Sequence, residues 1–135
     1  LCLWDTFASS IFLGRTAATV AELAFSCQVA LFLHRLGEVH DHRTATCAAH
    51  LLVPAIFVAQ CFCWRGVVSL NHGYHAVEES IWAAASVLVG AVLLSLAVQH
   101  PQNRPLRILG VGGAVLSFAF CGFMVVVDVP MYVWR

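Results

Sequence analysis

The feature that most restricts this chain is a fourfold recurrence of apolar runs, each about as long as a bilayer is thick. Residues 16–36, 47–70, 79–99 and 108–129 are dominated by Ala, Val, Leu, Phe and Gly. About 20 such residues carry an α-helix across the hydrocarbon core. Backbone groups in lipid must be satisfied within their own segment, so runs of this kind read as helices. The connectors GEVHDHRTAT, NHGYHAVEE and HPQNRPLR are short and polar, and Pro101 and Pro105 end the third run and reset the chain before the fourth. Short loops make consecutive helices antiparallel neighbours. The expected fold is an all-α membrane protein: an up-down bundle of four transmembrane helices forming a single domain over residues 1–135. Ahead of it, Trp4, Phe7 and Ile11 recur at helical spacing. They suit a short N-terminal interfacial helix or an extension of the first span. Residues 1–15 do not read as a signal peptide, because Asp5 stands where a basic region belongs and no small-residue cleavage site follows.

Composition agrees. The chain is 61% hydrophobic and 10% charged, where a soluble domain carries about 25% charged residues. The lipid bilayer is therefore its first partner. Seven arginines, no lysine and seven acids cancel to zero formal charge, which gives no footing for nucleic acid.

The spans sort the polar residues into two membrane faces. Trp4, Trp64, Trp82, Trp134, Tyr74 and Tyr132 lie towards one face, as half of an interfacial aromatic belt would. Loops one and three, at the other, carry Arg35, Arg43, Arg104 and Arg107, against Arg15, Arg65 and Arg135 on the aromatic side. The positive-inside rule then turns loops one and three to the cytoplasm.

Near the aromatic face Glu22, Arg65, Glu78, Glu79, Asp128, His72 and His75 fall at one level. Charges within a span normally face the bundle interior and find partners. Arg15, Thr19, Glu22 and Ser26 share one face of the first helix, and His75, Glu79, Ser86 and Gly90 one face of the third. On the second helix His50, Pro54, Phe57, Cys61 and Arg65 form a stripe with Gln60 on its flank. The expected ligand-binding pocket is therefore Glu22, Arg65, His75 and Glu79, walled by Trp82, Trp64 and Phe57. The plainer readings are that Glu78 and Glu79 complement a helix dipole with Asn71 as cap, and that Asp128 is solvated. Glu22, far from any loop, either pairs with Arg65 or Arg15 as structural glue or serves a ligand, metal or proton.

A transition metal would find ligands in His72, His75 and Glu79, spaced three and four apart, if the helix has begun by His72. At the other face His34, His40, His42, His50 and His100 form a second set, open to bis-histidine haem or chlorophyll ligation or simply to a polar rim. Cys61 and Cys63, two apart, point to nearly opposite sides of a helix, and Cys27, Cys61 and Cys121 read as small hydrophobes. No nucleotide, zinc-protease or serine-hydrolase motif is present.

His75-Ala-Val-Glu-Glu79 followed by Trp82 resembles the His-x-x-x-Glu and tryptophan of the sterol-isomerase and sigma-2-receptor superfamily, small helical bundles with an acidic, aromatic-lined lipid pocket. The resemblance covers eight residues, 75–82, and that family's other acids have no assigned place here.

Two functions fit this pattern. One is a pocket for a small amphipathic or cationic ligand, a proton or a metal ion, with membrane-embedded catalysis as an extension. The other is an accessory subunit of a larger membrane complex, or a homo-oligomer, whose polar residues only lock helices together. Ala17, Ala21 and Ala24, and Gly110, Gly113 and Ser117, offer the small-residue stripes such packing uses.

Overall fold

Each apolar run forms a helix that continues past it into the polar flanks. The structure, a computed structural model, describes residues 11–134. Helix α1 is Ile11–Val39, α2 is Arg43–Ser69, α3 is Gly73–Gln99 and α4 is Arg104–Phe123. A π-helical turn, Met124–Asp128, leads on into α5, Val129–Val133. The four continuous spans have 29, 27, 27 and 30 residues and are long and apolar enough to cross a membrane. At 1.5 Å per residue each is roughly 40 Å long and reaches the headgroup layers. The chain is an all-α, integral, multi-pass membrane protein. The expected interfacial stretch around Trp4 and Phe7 lies outside the described residues.

Local chemistry fixes the ends. The His42 ring caps α2, its Nδ1 accepting from the Ala45 amide at 3.2 Å. Leu70 closes α2 in the left-handed region, at φ 53°. Asn71 turns the chain into α3 by accepting the Gly73 amide at 2.9 Å on its side-chain oxygen. Helix α3 is thus under way by Gly73 and places His75 in its first turn. Asn103 accepts the Leu106 amide at the start of α4. The π turn comes just before Pro130, whose ring would crowd the carbonyl four residues back in a tight α-helix. Widening the helix there relieves the clash, and the extra residue shifts the face that α5 presents by about 100°.

Packing is serial. Helix α1 packs on α2, α2 on α3, and α3 on α4, whereas α1 and α4 nowhere approach within 8 Å between Cα atoms among the described residues. Leu33, Ala48, Leu52, Ile56, Leu93 and Leu96 fill the core between these pairs. Close approach relies on small residues. A Cβ on Gly110 would sit 2.6 Å from the Leu93 carbonyl oxygen, so α4 lies almost directly on the α3 backbone. The unfilled side of the row is a cleft of about 320 Å³ between α1 and α4. Phe25 and Val29 line it from α1, Trp82 and Val89 from α3, and Leu116 and Phe120 from α4.

The inward face of α2 differs from the expected one. Ala45, Ala48, Leu52, Ile56, Ala59, Gln60, Cys63 and Gly66 are buried, while His50, Pro54, Phe57, Cys61 and Arg65 are exposed. The small residues win because they let α1 and α3 come close on both sides, and dispersion between close helices is what drives association in lipid.

Candidate functional site

At the end where α2 finishes and α3 begins, three helices bring polar side chains to one point. Arg15 lies one turn into α1, with Thr19 and Glu22 on the same face at four- and seven-residue spacing. Gln60 and Cys63 come from the buried stripe of α2, and His75 and Glu78 from the first turns of α3.

Arg15 is the hub. Its Nη2 donates to Glu78 Oε1 and lies 3.7 Å from Glu22 Oε1, forming an ion pair across helices on one side and along α1 on the other. The same nitrogen reaches Gln60 Oε1 at 3.4 Å. Gln60, only 2% exposed, is used at both ends. Its carbonyl accepts from Thr19 Oγ1 at 3.0 Å, and its amide donates to Glu22 Oε2. Thr19 in turn accepts from the Trp64 indole at 3.1 Å, which seals the water side of the network with an aromatic ring stacked on Phe12.

Glu78 is the deepest acid, at 3% exposure, and its two oxygens have different neighbours. Oε1 takes the guanidinium, while Oε2 accepts from His75 Nδ1 at 3.2 Å. Cys63 Sγ, fully buried, lies 3.9 Å from that same nitrogen. The imidazole is seated against bare backbone: a Cβ on Gly66 would meet His75 Nε2 at 2.9 Å. Tyr132, brought round by the π turn, lies with its ring centroid 5.3 Å from the imidazole.

The structure brings some expected residues together and leaves others out. Glu22 and His75 belong to the network, and Trp64 closes it. Trp82 lines the cleft one turn further in. Glu79 is half-buried and makes no hydrogen bond or ion pair among the described residues. The carboxylate facing inward is Glu78, because α2 covers the side of α3 that carries position 78 and Arg15 reaches it from α1. Arg65 is exposed and lies over the Tyr74 ring, 6.0 Å from its centroid, and Arg15 pairs with Glu22 in its place. Phe57 is 57% exposed and walls nothing. The proposed ligand triad of His72, His75 and Glu79 is not assembled, since His72 is exposed before α3. The ligating atoms that do gather, all within 4.8 Å of one another, belong to Cys63, His75 and Glu78.

Arg15, Gln60, Cys63 and Glu78 stand outside the pocket expected from the sequence: there Arg15 is only one possible partner of Glu22, Gln60 a flank residue and Glu78 a helix-dipole partner, and Cys63 has no role in it. The available signal was the Ala45–Gly66 run of small residues at three- and four-residue spacing, which marks the inner face of α2 and carries Gln60 and Cys63 on it.

The opposite end is built differently. His42 is buried at 7%. Its Nδ1 accepts from Ala45, so Nε2 carries the hydrogen and donates to Ser95 Oγ at 2.8 Å. His34 and His50 lie 5.4 Å apart, and His40 and His100 4.7 Å, between ring centroids. The rings of each pair lie against one another and would have to part to admit a macrocycle between them.

Comparison with known proteins found no matching family, no matching curated protein and no matching solved structure.

Proposed function

We propose that the Arg15–Glu22–Glu78 cluster is a membrane-embedded cation site, taking a metal ion, a proton or the charged head of an amphipathic ligand. One observation carries this reading: the part-buried set holds two carboxylates against one guanidinium, with Glu78 the most enclosed of the three. An unmatched charge at such depth costs several kcal/mol, so a positive charge added here is held firmly. Acids within spans that stay incompletely neutralised mark ion and proton routes. Three of the four carboxylate oxygens are engaged by Arg15 and Gln60, which leaves Glu78 Oε2, beside His75 and Cys63, as the point of uptake.

The cleft supports the amphipathic version. Its upper lining, Phe25 and Trp82, lies three residues beyond Glu22 and four beyond Glu78, roughly 5–6 Å along the helix axes. A cationic head at these acids would leave an apolar body against Val29, Val89 and Phe120. Loops one and three, which carry Arg35, Arg43, Arg104 and Arg107, are assigned to the cytoplasmic side by the positive-inside rule. Cations then enter from the opposite face. The competing reading, an accessory subunit, requires the chain to be stable only with its partners.

Detergent-purified protein tests the cation site. Its Tm should respond to pH, to added divalent metal or to a cationic amphiphile. Glu78→Gln removes the surplus charge, so that variant should stay folded and lose the response. A wild type indifferent to all three, or a Glu78→Gln chain that keeps the full response, overturns the proposal.

A further inference from the structure

Resting on that cation reading, we infer that the corner formed by Cys63, His75 and Glu78 binds a divalent transition metal ion of zinc-like softness through Sγ, Nδ1 and Oε2.

The first argument is geometric. Zinc bonds of about 2.3 Å to sulfur and about 2.0–2.2 Å to nitrogen and oxygen, at tetrahedral angles, set the ligand atoms about 3.6 Å (S···N) and about 3.3 Å (N···O) apart. The corresponding distances here are 3.9 Å and 3.2 Å. Two edges of a coordination tetrahedron are therefore in place, and small rotamer adjustments close the third.

The second argument is charge. With Cys63 as thiolate, the enclosed negative groups are Cys63, Glu22 and Glu78. A divalent ion together with Arg15 balances them completely. On binding, the metal–sulfur bond displaces the thiol proton, and the imidazole gives up its Nδ1 hydrogen and carries one on Nε2 instead, so one proton is released in all. It leaves past His75, whose side chain is 19% exposed and is the wettest of the three ligands.

The third argument is the supporting shell. Arg15 holds Glu78 by its other oxygen, so Oε2 is aimed at the corner. Gly66 gives the imidazole a flat backbone to lie on, which turns Nδ1 towards Cys63. Supports of this kind fix ligand orientation around metals. The donor set of thiolate, imidazole and carboxylate suits zinc, cobalt or copper better than magnesium or calcium, which prefer oxygen alone. Three protein ligands leave a fourth position for water or substrate.

Cobalt(II), titrated into metal-free protein in detergent, is the probe. Wild type should bind one equivalent and develop a thiolate-to-cobalt charge-transfer band with intense tetrahedral visible bands. Cys63→Ser should abolish the charge-transfer band, and Cys61→Ser, two residues away and exposed, should retain it. Gly66→Ala removes no ligand but displaces the imidazole, and should weaken cobalt binding by about tenfold. If wild type binds no cobalt, or gains no thiolate band, or if Cys63→Ser is spectrally unchanged, the metal assignment fails. The cation site itself survives that failure if wild type still answers protons or a cationic amphiphile and Glu78→Gln does not. Should Cys63→Ser fail to fold, Gly66→Ala decides the matter by its affinity.

Discussion

The two ends of this bundle hold similar numbers of polar side chains and use them in opposite ways. At the α2–α3 turn, partners 38 to 63 residues apart in sequence meet across three helices, and most of them are ionisable. At the other end His42 caps its own helix, His34 and Arg35 face Glu38 within one turn, and neighbouring imidazoles pair at tilted angles. Among the described residues only the His42–Ser95 bond crosses helices there by hydrogen bonding. Local polar contacts finish helices, whereas long-range buried charges cost stability and need a further reason to exist. The contrast separates an end finished by local caps from one where ionisable side chains of three helices meet.

The largest effect should come from breaking the ionic end. Arg15→Ala leaves Glu22 and Glu78 facing each other without their guanidinium, and should cost about 3–5 kcal/mol. Reversible unfolding in mixed micelles measures it, and a loss under 1 kcal/mol would place the acids in contact with water. Replacing the charged trio together, as Arg15→Met, Glu22→Leu and Glu78→Leu, should restore or exceed wild-type stability while the cation response disappears.

The histidine end should respond to sterics before electrostatics. Gly110→Ala drives a methyl into the Leu93 carbonyl and the Ala97 Cβ, 2.6 and 2.8 Å away, and should cost about 1–3 kcal/mol. Gly112→Ala, with open space around it, should be neutral or slightly stabilising. Equal effects at the two glycines would contradict the close α3–α4 contact. A smaller loss than that at Gly110 should follow His42→Ala, which removes a helix cap and the Ser95 bond for about 1–2 kcal/mol. It should leave the cobalt spectrum untouched, and a changed spectrum would mean that the two ends are coupled.

The four helices were legible because a bilayer imposes one length and one kind of residue on each. The inward face of α1 was legible too, since Arg15, Thr19, Glu22 and Ser26 are conspicuous in an apolar helix. The face of α2 was not. Its inner surface is marked by smallness rather than polarity, and the polar stripe of His50, Cys61 and Arg65 points outward. Position 78 against 79 is a still finer choice. Both lie within a turn of His75, and only the placement of α1 and α2 against α3 decides which carboxylate is enclosed. That placement depends on contacts across more than 60 residues, which no local period encodes.

The serial order of the helices bears on how such a chain enters a membrane. Among the described residues each interface joins helices that follow one another in sequence, and none awaits closure between the first and the last. A chain inserting from its N-terminus can therefore complete every helix–helix contact as soon as the second member emerges. Topology of this local kind assembles quickly. The largest debt is Arg15, which must wait 63 residues for Glu78. Until then Glu22, on its own helix, is the counter-ion that chaperones it through the bilayer.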